Sequence, residues 1–171
     1  MMAMAQAGTL TRESAFLELY DREASTVLRY LRTASVSGSD VEDLCAETFS
    51  RAWGAWSRFK GVDAEARAWL LRIARNAAID AGRRRHGVRV VPIDDYRADP
   101  SPGPESQAVD RVQLRSALAA IKPEERDLLA LRAAGLSHAE IAAVTGRSEA
   151  ATKMAWHRAV ERLRPHLERT A

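Results

Sequence analysis

The chain has one cysteine in 171 residues, Cys45. That excludes an intramolecular disulfide, so stability must come from packing. Its four histidines, His86, His138, His157 and His166, fall at no spacing that would complete a zinc site with Cys45. No acidic metal cluster and no nucleophile–base pairing stands out, which argues against a nucleic-acid enzyme or any other enzyme. No metal and no cofactor is expected. No apolar run approaches the length of a bilayer span. The opening residues, MMAMAQAGT, lack the basic start and apolar core of a signal peptide. The expectation is a soluble, cytoplasmic protein without membrane insertion. Period-two alternation is missing as well, and with it any case for β-structure.

What remains is 46% hydrophobic and 29% charged, enough to bury cores and too apolar for a disordered chain. Net charge is only +3, but the charge is unevenly placed. Residues 66–89 hold seven Arg against one Asp, whereas residues 90–110 hold five acids and one Arg. A basic block of this kind suits a polyanion surface. Four of the six prolines lie between Val91 and Pro104, and they divide the chain. The organisation predicted is all-α: two small helical domains, at 10–88 and 107–169, joined by a Pro-rich flexible linker at 89–106. Asp94 and Asp95 lie in that linker without a scaffold, so they are rejected as paired catalytic carboxylates.

Apolar periodicity near 3.6 outlines the helices. Phe16, Leu19, Tyr20, Val27, Leu28 and Leu31 form one stripe. A second helix opens at Ser39, with Glu42 closing a capping box. It carries Val41, Leu44, Cys45, Thr48, Phe49, Ala52, Trp53 and Trp56 on its apolar side. Cys45 there reads as a buried, inert thiol. A third helix buries Trp69, Leu70, Ile73 and Ala77 and ends near Gly82. In the second domain Leu114, Ala117, Leu118 and Ile121 mark a helix, and Pro123 suits the first turn of the next. Gly135 ends that one. Ser137 then caps a short helix with Glu140 three residues on, Thr145-Gly146 makes a turn, and Ser148 caps a long basic helix that Pro165 bends or ends. This is the layout of a helix-turn-helix, whose second helix enters the DNA major groove and whose presence in the second domain points to transcription.

Several runs together resemble extracytoplasmic-function (ECF) sigma factors: Asp40-Val41-Glu42-Asp43-Leu44 with Glu47-Thr48-Phe49, then Arg67-Ala68-Trp69-Leu70 and Arg72-Ile73-Ala74-Arg75-Asn76. Gly135-Leu136-Ser137, Glu140-Ile141-Ala142 and His157-Arg158-Ala159 continue the match, which spans Phe16 to Leu167. The resemblance implies an alternative sigma factor that binds core RNA polymerase and directs promoter-specific initiation. Its first domain, region two, would read and open the −10 element; its second, region four, would read the −35 element. It also implies docking on the polymerase clamp, a linker threading toward the polymerase active centre and an anti-sigma partner. The other reading is a stand-alone helix-turn-helix regulator that binds an operator without polymerase. The basic, polar third helix argues against it, since a dimer face should be apolar.

Site expectations follow. By composition alone the acidic face Asp40, Glu42, Asp43 and Glu47 reads as solvated helix surface; the resemblance implies that it docks on polymerase, where charge complementarity sets register and association rate. The loop Lys60, Gly61 to Asp63, with Arg72, Arg75, Asn76 and Arg83, is the candidate DNA-facing surface of the first domain, and the resemblance implies that it takes the melted −10 strand. Loops on a helical scaffold can close on a flipped base, Arg holds phosphate and Asn can read a base edge. Trp53 and Trp69 are assigned to the core. Ala150, Lys153, Met154, His157 and Arg158 face outward, and the resemblance implies that these positions meet −35 duplex DNA, flanked by Arg132 and Arg147. Thr152, Trp156, Ala159 and Leu163 face inward. Met154-Ala155 stands where the family pattern has Ser-Arg, and Trp156 replaces a smaller aliphatic residue.

Overall fold

A computed structural model describes residues 2–34, 41–87 and 116–168, with side chains over 12–34, 41–84 and 116–166. All regular structure among these residues is helical. α1 runs Met2–Ala34, α2 Val41–Trp56 and α3 Asp63–Gly87. After a helical turn at 116–119 come α4 Pro123–Ala133, α5 His138–Thr145 and α6 Glu149–Glu168. The linker, Ser39, Asp40 and Leu114 lie outside the described residues.

Helices α1, α2 and α3 pack on one another to form the first unit. Leu19, Val27, Leu31, Leu44, Phe49, Ala52 and Leu70 are buried between them. Thr48 joins this core at 0% exposure because its hydroxyl donates to the Leu44 carbonyl at 2.7 Å, leaving no unmet polar group. Two of the expected core aromatics instead reach the surface. Trp53 is 38% exposed, with Phe16 against its ring edge and the Arg12 guanidinium over its face at 5.6 Å; Tyr20 is 44% exposed and edges onto Phe49. Both sit at the margin of the α1–α2 contact, where a ring wider than the seam leaves one side in water. Cys45 is half-buried, and burial, seconded by Glu42, pushes its thiol up from the usual range.

α3 continues through Gly82 to Gly87. One glycine weakens a helix by about 1 kcal/mol and does not stop it unless φ turns positive. Gly82 has no such dihedral, whereas Gly135 and Gly146 do. α6 likewise runs through Pro165 to Glu168. The proline forfeits one bond to the Glu161 carbonyl, but both residues are exposed and water can take that acceptor.

The second unit does not stand apart from the first. α4 packs along α1, and α5 lies against α3. One hydrophobic cluster contains Val27, Tyr30, Leu31, Leu70 and Leu71 together with Leu128, Leu131, Leu136, Ile141 and Val144. This explains the burial of Tyr30 and Leu71, which lie off the stripes expected from sequence.

Candidate nucleic-acid and polymerase interfaces

The helix-turn-helix is set by short-range hydrogen bonds. The Glu140 N–H donates to Ser137 Oγ at 3.2 Å and the Ser137 N–H to Glu140 Oε2 at 2.7 Å, a complete capping box. Hydrogen bonding by Ser137 holds the Glu140 carboxyl below its ordinary range. Gly146 closes α5 at φ 70°, and the Arg147 N–H donates to the Ala142 carbonyl at 3.0 Å. The Ala151 N–H then donates to Ser148 Oγ at 3.2 Å and starts α6.

Along α6, Thr152, Ala155 and Ala159 are buried, and Trp156 and Leu163 are half-buried. The inward stripe is thus centred nearer Ala155 than expected, and only Met154 of the Met154-Ala155 pair faces out. Trp156 lies edge-on to His138 at 5.5 Å and to His157 at 5.0 Å. Its ring fills the margin between the two helices of the motif. Ala150, Lys153, Met154, His157 and Arg158 are all exposed. Lys153 reaches back to Glu149 at 2.8 Å, one turn earlier. Arg147 is exposed in the turn, and Arg132 donates to the Leu136 carbonyl at 2.9 Å.

On the first unit the loop between α2 and α3 carries an aromatic stack. Phe59 lies parallel to Trp56 at 5.5 Å and tilted against Trp69 at 4.7 Å. Gly61 lies beneath it: a Cβ there would sit 2.6 Å from Phe59 Cζ and 2.7 Å from Glu65 Oε2, so those side chains would have to shift. Lys60, Gly61, Arg72, Arg58, Phe59 and Trp69 line one wall of a cleft of about 590 Å³. Glu65 of α3 and Glu140, Ala143 and Val144 of α5 also line it. Asn76 and Arg83 are exposed farther along α3.

Two expected site residues are engaged elsewhere. Asp63 accepts both Arg22 terminal nitrogens, at 2.7 and 3.1 Å, which pins the start of α3 to α1. Arg75 donates to Asp127 of α4 at 2.6 Å. Phe59 and Arg58 are additions that sequence patterning passed over, since a lone loop aromatic has no periodicity to give it away. Arg67 is another. It donates to Glu23 at 2.9 and 3.2 Å, and Glu23 is 2% exposed, a buried carboxylate held by a guanidinium fork.

The acidic face sits on α2. Glu42 and Asp43 are exposed, and Arg32 donates to Glu42 at 3.4 Å. Glu47 is half-buried and bound by Arg51, which also bonds Asp80 of α3 at 3.0 Å. Glu47 also pairs with Arg84 of α3 at 3.6 Å, so it helps to tie α2 to α3. Among the described residues no group of three or more His, Cys, Asp or Glu could hold a metal ion, and no helix is long and apolar enough to cross a membrane.

The geometry amounts to two cation-rimmed surfaces, one an aromatic cleft and one an exposed helix, with an acidic face on α2. Comparison with known proteins gives matching results for both halves. Sigma-70 region 2 matches residues 19–87 and Sigma-70, region 4 matches residues 111–163. The ECF RNA polymerase sigma factor SigL of Mycobacterium tuberculosis is 32% identical over 166 residues, covering 94% of each chain. The RNA polymerase sigma factor CarQ of Myxococcus xanthus is 32% identical over 155 residues, covering 89% of this chain and 88% of its own. The solved structure of CnrH in complex with the cytosolic domain of CnrY superposes with a TM-score of 0.70 at 26% identity, covering 93% of this chain and 91% of CnrH.

Proposed function

The chain belongs to the extracytoplasmic-function sigma factors of RNA polymerase, and on that premise we propose how its residues divide the reading of a promoter. As a sigma factor it binds core RNA polymerase and directs promoter-specific initiation. Catalysis belongs to the polymerase, and the chain contributes binding energy and position. Its place of action is the cytoplasm, where the polymerase works.

The observation that carries the assignment is the Trp56–Phe59–Trp69 stack rimmed by Lys60, Arg58 and Arg72. Aromatic faces stack unpaired bases, and neighbouring cations hold the phosphates of a single strand. This cleft receives the melted −10 strand, with Asn76 reading a base edge and Arg83 following the backbone. α6 reads −35 duplex DNA: Lys153, His157 and Arg158 reach phosphate and base edges, and Met154 offers an apolar contact such as a thymine methyl. Glu42, Asp43 and the outer side of Glu47 dock on a basic surface of the polymerase clamp.

An anti-sigma factor is part of the proposal, because the similar CnrH is bound by the cytosolic domain of a second protein. The test is reconstitution. The pure chain should co-elute with core polymerase and support specific initiation, with permanganate reactivity marking the melted −10 strand. A chain that footprints a palindromic site without polymerase would instead be a stand-alone regulator.

A further inference from the structure

The middle of the exposed face of α6 is apolar. Met154 is 64% exposed, and no other large hydrophobic residue among the described residues of the second unit is so open to solvent. A lone surface methionine would call for nothing; the surroundings of this one do. At about 100° per residue Ala150, Met154 and His157 fall within roughly 60° of one another around the helix, with Lys153 on one side and Arg158 on the other. All five are exposed, while Thr152, Ala155 and Ala159 take the far, buried side. The polar neighbours do not close over the methionine. Lys153 reaches back to Glu149 at 2.8 Å, and the His157 ring stands edge-on to Trp156 at 5.0 Å. Ala150 and Met154 are about 6 Å apart along the axis, roughly the rise of two base pairs.

The major groove asks for particular chemistry. Guanine is read by Arg or Lys through O6 and N7, and adenine by Asn or Gln through N6 and N7. The line from Ala150 to Met154 carries none of these. It offers a methyl group and a polarisable thioether on a flexible stem. The apolar mark on a base edge is the C5 methyl of thymine, which cytosine and uracil lack. Cytosine methylated at C5 carries the same group in the same place. Lys153, Arg158 and Arg147 remain at the margins as phosphate holders, which position a helix without specifying sequence. The family pattern has a hydrogen-bonding serine where Met154 stands, so the apolar middle belongs to this chain.

We propose that Met154 is the specificity-determining residue of α6, and that the base pairs beneath it are read through a pyrimidine C5 methyl rather than through guanine. The inference rests on the proposed use of α6 for −35 duplex DNA. Ala150 packs on the same methyl or on its neighbour along the groove. Contact shields both apolar surfaces from water, and burial of one methyl corresponds to about fourfold in affinity. Two bases can supply the group, thymine and 5-methylcytosine. The second would make initiation by this chain respond to cytosine methylation.

The test uses holoenzyme reconstituted from core polymerase and the full chain. Selection from promoter duplexes randomised around −35, followed by footprinting, should return an element with thymine fixed on one strand or the other. Each such thymine is then replaced by uracil, which removes the methyl and keeps the base pairing. Wild-type affinity should fall about fourfold at the thymine under Met154. Met154→Ser should bind the thymine and uracil templates equally, whereas Met154→Leu, still apolar, should keep the loss. In a further arm that pair is replaced by cytosine–guanine, with and without the C5 methyl. A similar gain on methylation assigns 5-methylcytosine as a second source, and no gain assigns the contact to thymine alone. Wild-type affinity indifferent to uracil at every −35 thymine, or a loss undiminished in Met154→Ser, would overturn the proposal. So would a selected element without thymine. A holoenzyme that leaves no −35 footprint would instead sink the use of α6 for duplex DNA, and this inference with it.

Discussion

Gly146 and Glu140 show how single residues set the recognition motif. Gly146 holds φ at 70°, where an L side chain meets the backbone. Gly146→Ala should lower stability by about 1–2 kcal/mol in urea unfolding, and Gly146→Asn, whose side chain tolerates this region, by less. Glu140 is held below the ordinary carboxylate range by Ser137. A depressed folded pKa means the stabilisation is complete above the unfolded value of about 4.3 and is lost as pH falls through the folded one. Glu140→Gln can still accept the Ser137 N–H but does not titrate. Its thermal midpoint should therefore fall less steeply than the wild type's below about pH 4.3. An equal fall in both would place the acid sensitivity elsewhere. Both residues were legible in the sequence, because a capping box and a turn glycine act within a few residues. Glu23 was not, since its partner Arg67 lies 44 residues away.

At the scale of elements, the exposed side of α6 and the exposed side of α3 should fail differently. Lys153→Ala and Arg158→Ala should each weaken −35 binding and reduce its salt slope by about one. Arg72→Ala and Asn76→Ala should reduce permanganate reactivity at −10 while leaving −35 protection intact. Charge reversal at Glu42 and Asp43 should weaken polymerase binding without changing helicity. Asp43 is the cleaner site, because reversal at Glu47 would also break its bond to Arg51 and disturb the α2–α3 tie. Unchanged −35 footprints in the α6 variants would mean that this helix, with Met154 outward and Ala155 buried, does not read DNA in the proposed way. Helix identity and most inward faces followed from periodicity. Helix ends did so less well. Gly82 reads as a stop and Pro165 as a bend or an end, yet α3 and α6 continue: Gly82 has no positive φ, and the Glu161 carbonyl that Pro165 leaves without a donor is open to water.

At the scale of the whole molecule, the shared cluster joins the two units thermodynamically. Residues from α4 and α5 lie in the same buried group as those of α1 and α3. The wild type should therefore unfold in a single urea transition, with fluorescence and circular dichroism coincident. Asp127→Ala should separate this into two, the four tryptophans reporting both units since Trp156 lies in the second. A wild type already showing two transitions would mean that the contact adds little to either unit.

Sequence alone determined what is local or periodic: an all-helical chain, a proline-rich division, the caps and turn of the helix-turn-helix, and the signature runs that identify the family. Each depends on residues within one or two turns of one another. Tertiary structure decided the rest. It put Phe59 between Trp56 and Trp69, bound Asp63 to Arg22, and turned Arg75 from an expected DNA contact toward Asp127, 52 residues away. Those outcomes depend on which faces meet when helices distant in the chain pack. Periodicity reports that a face is buried, and it cannot report against what.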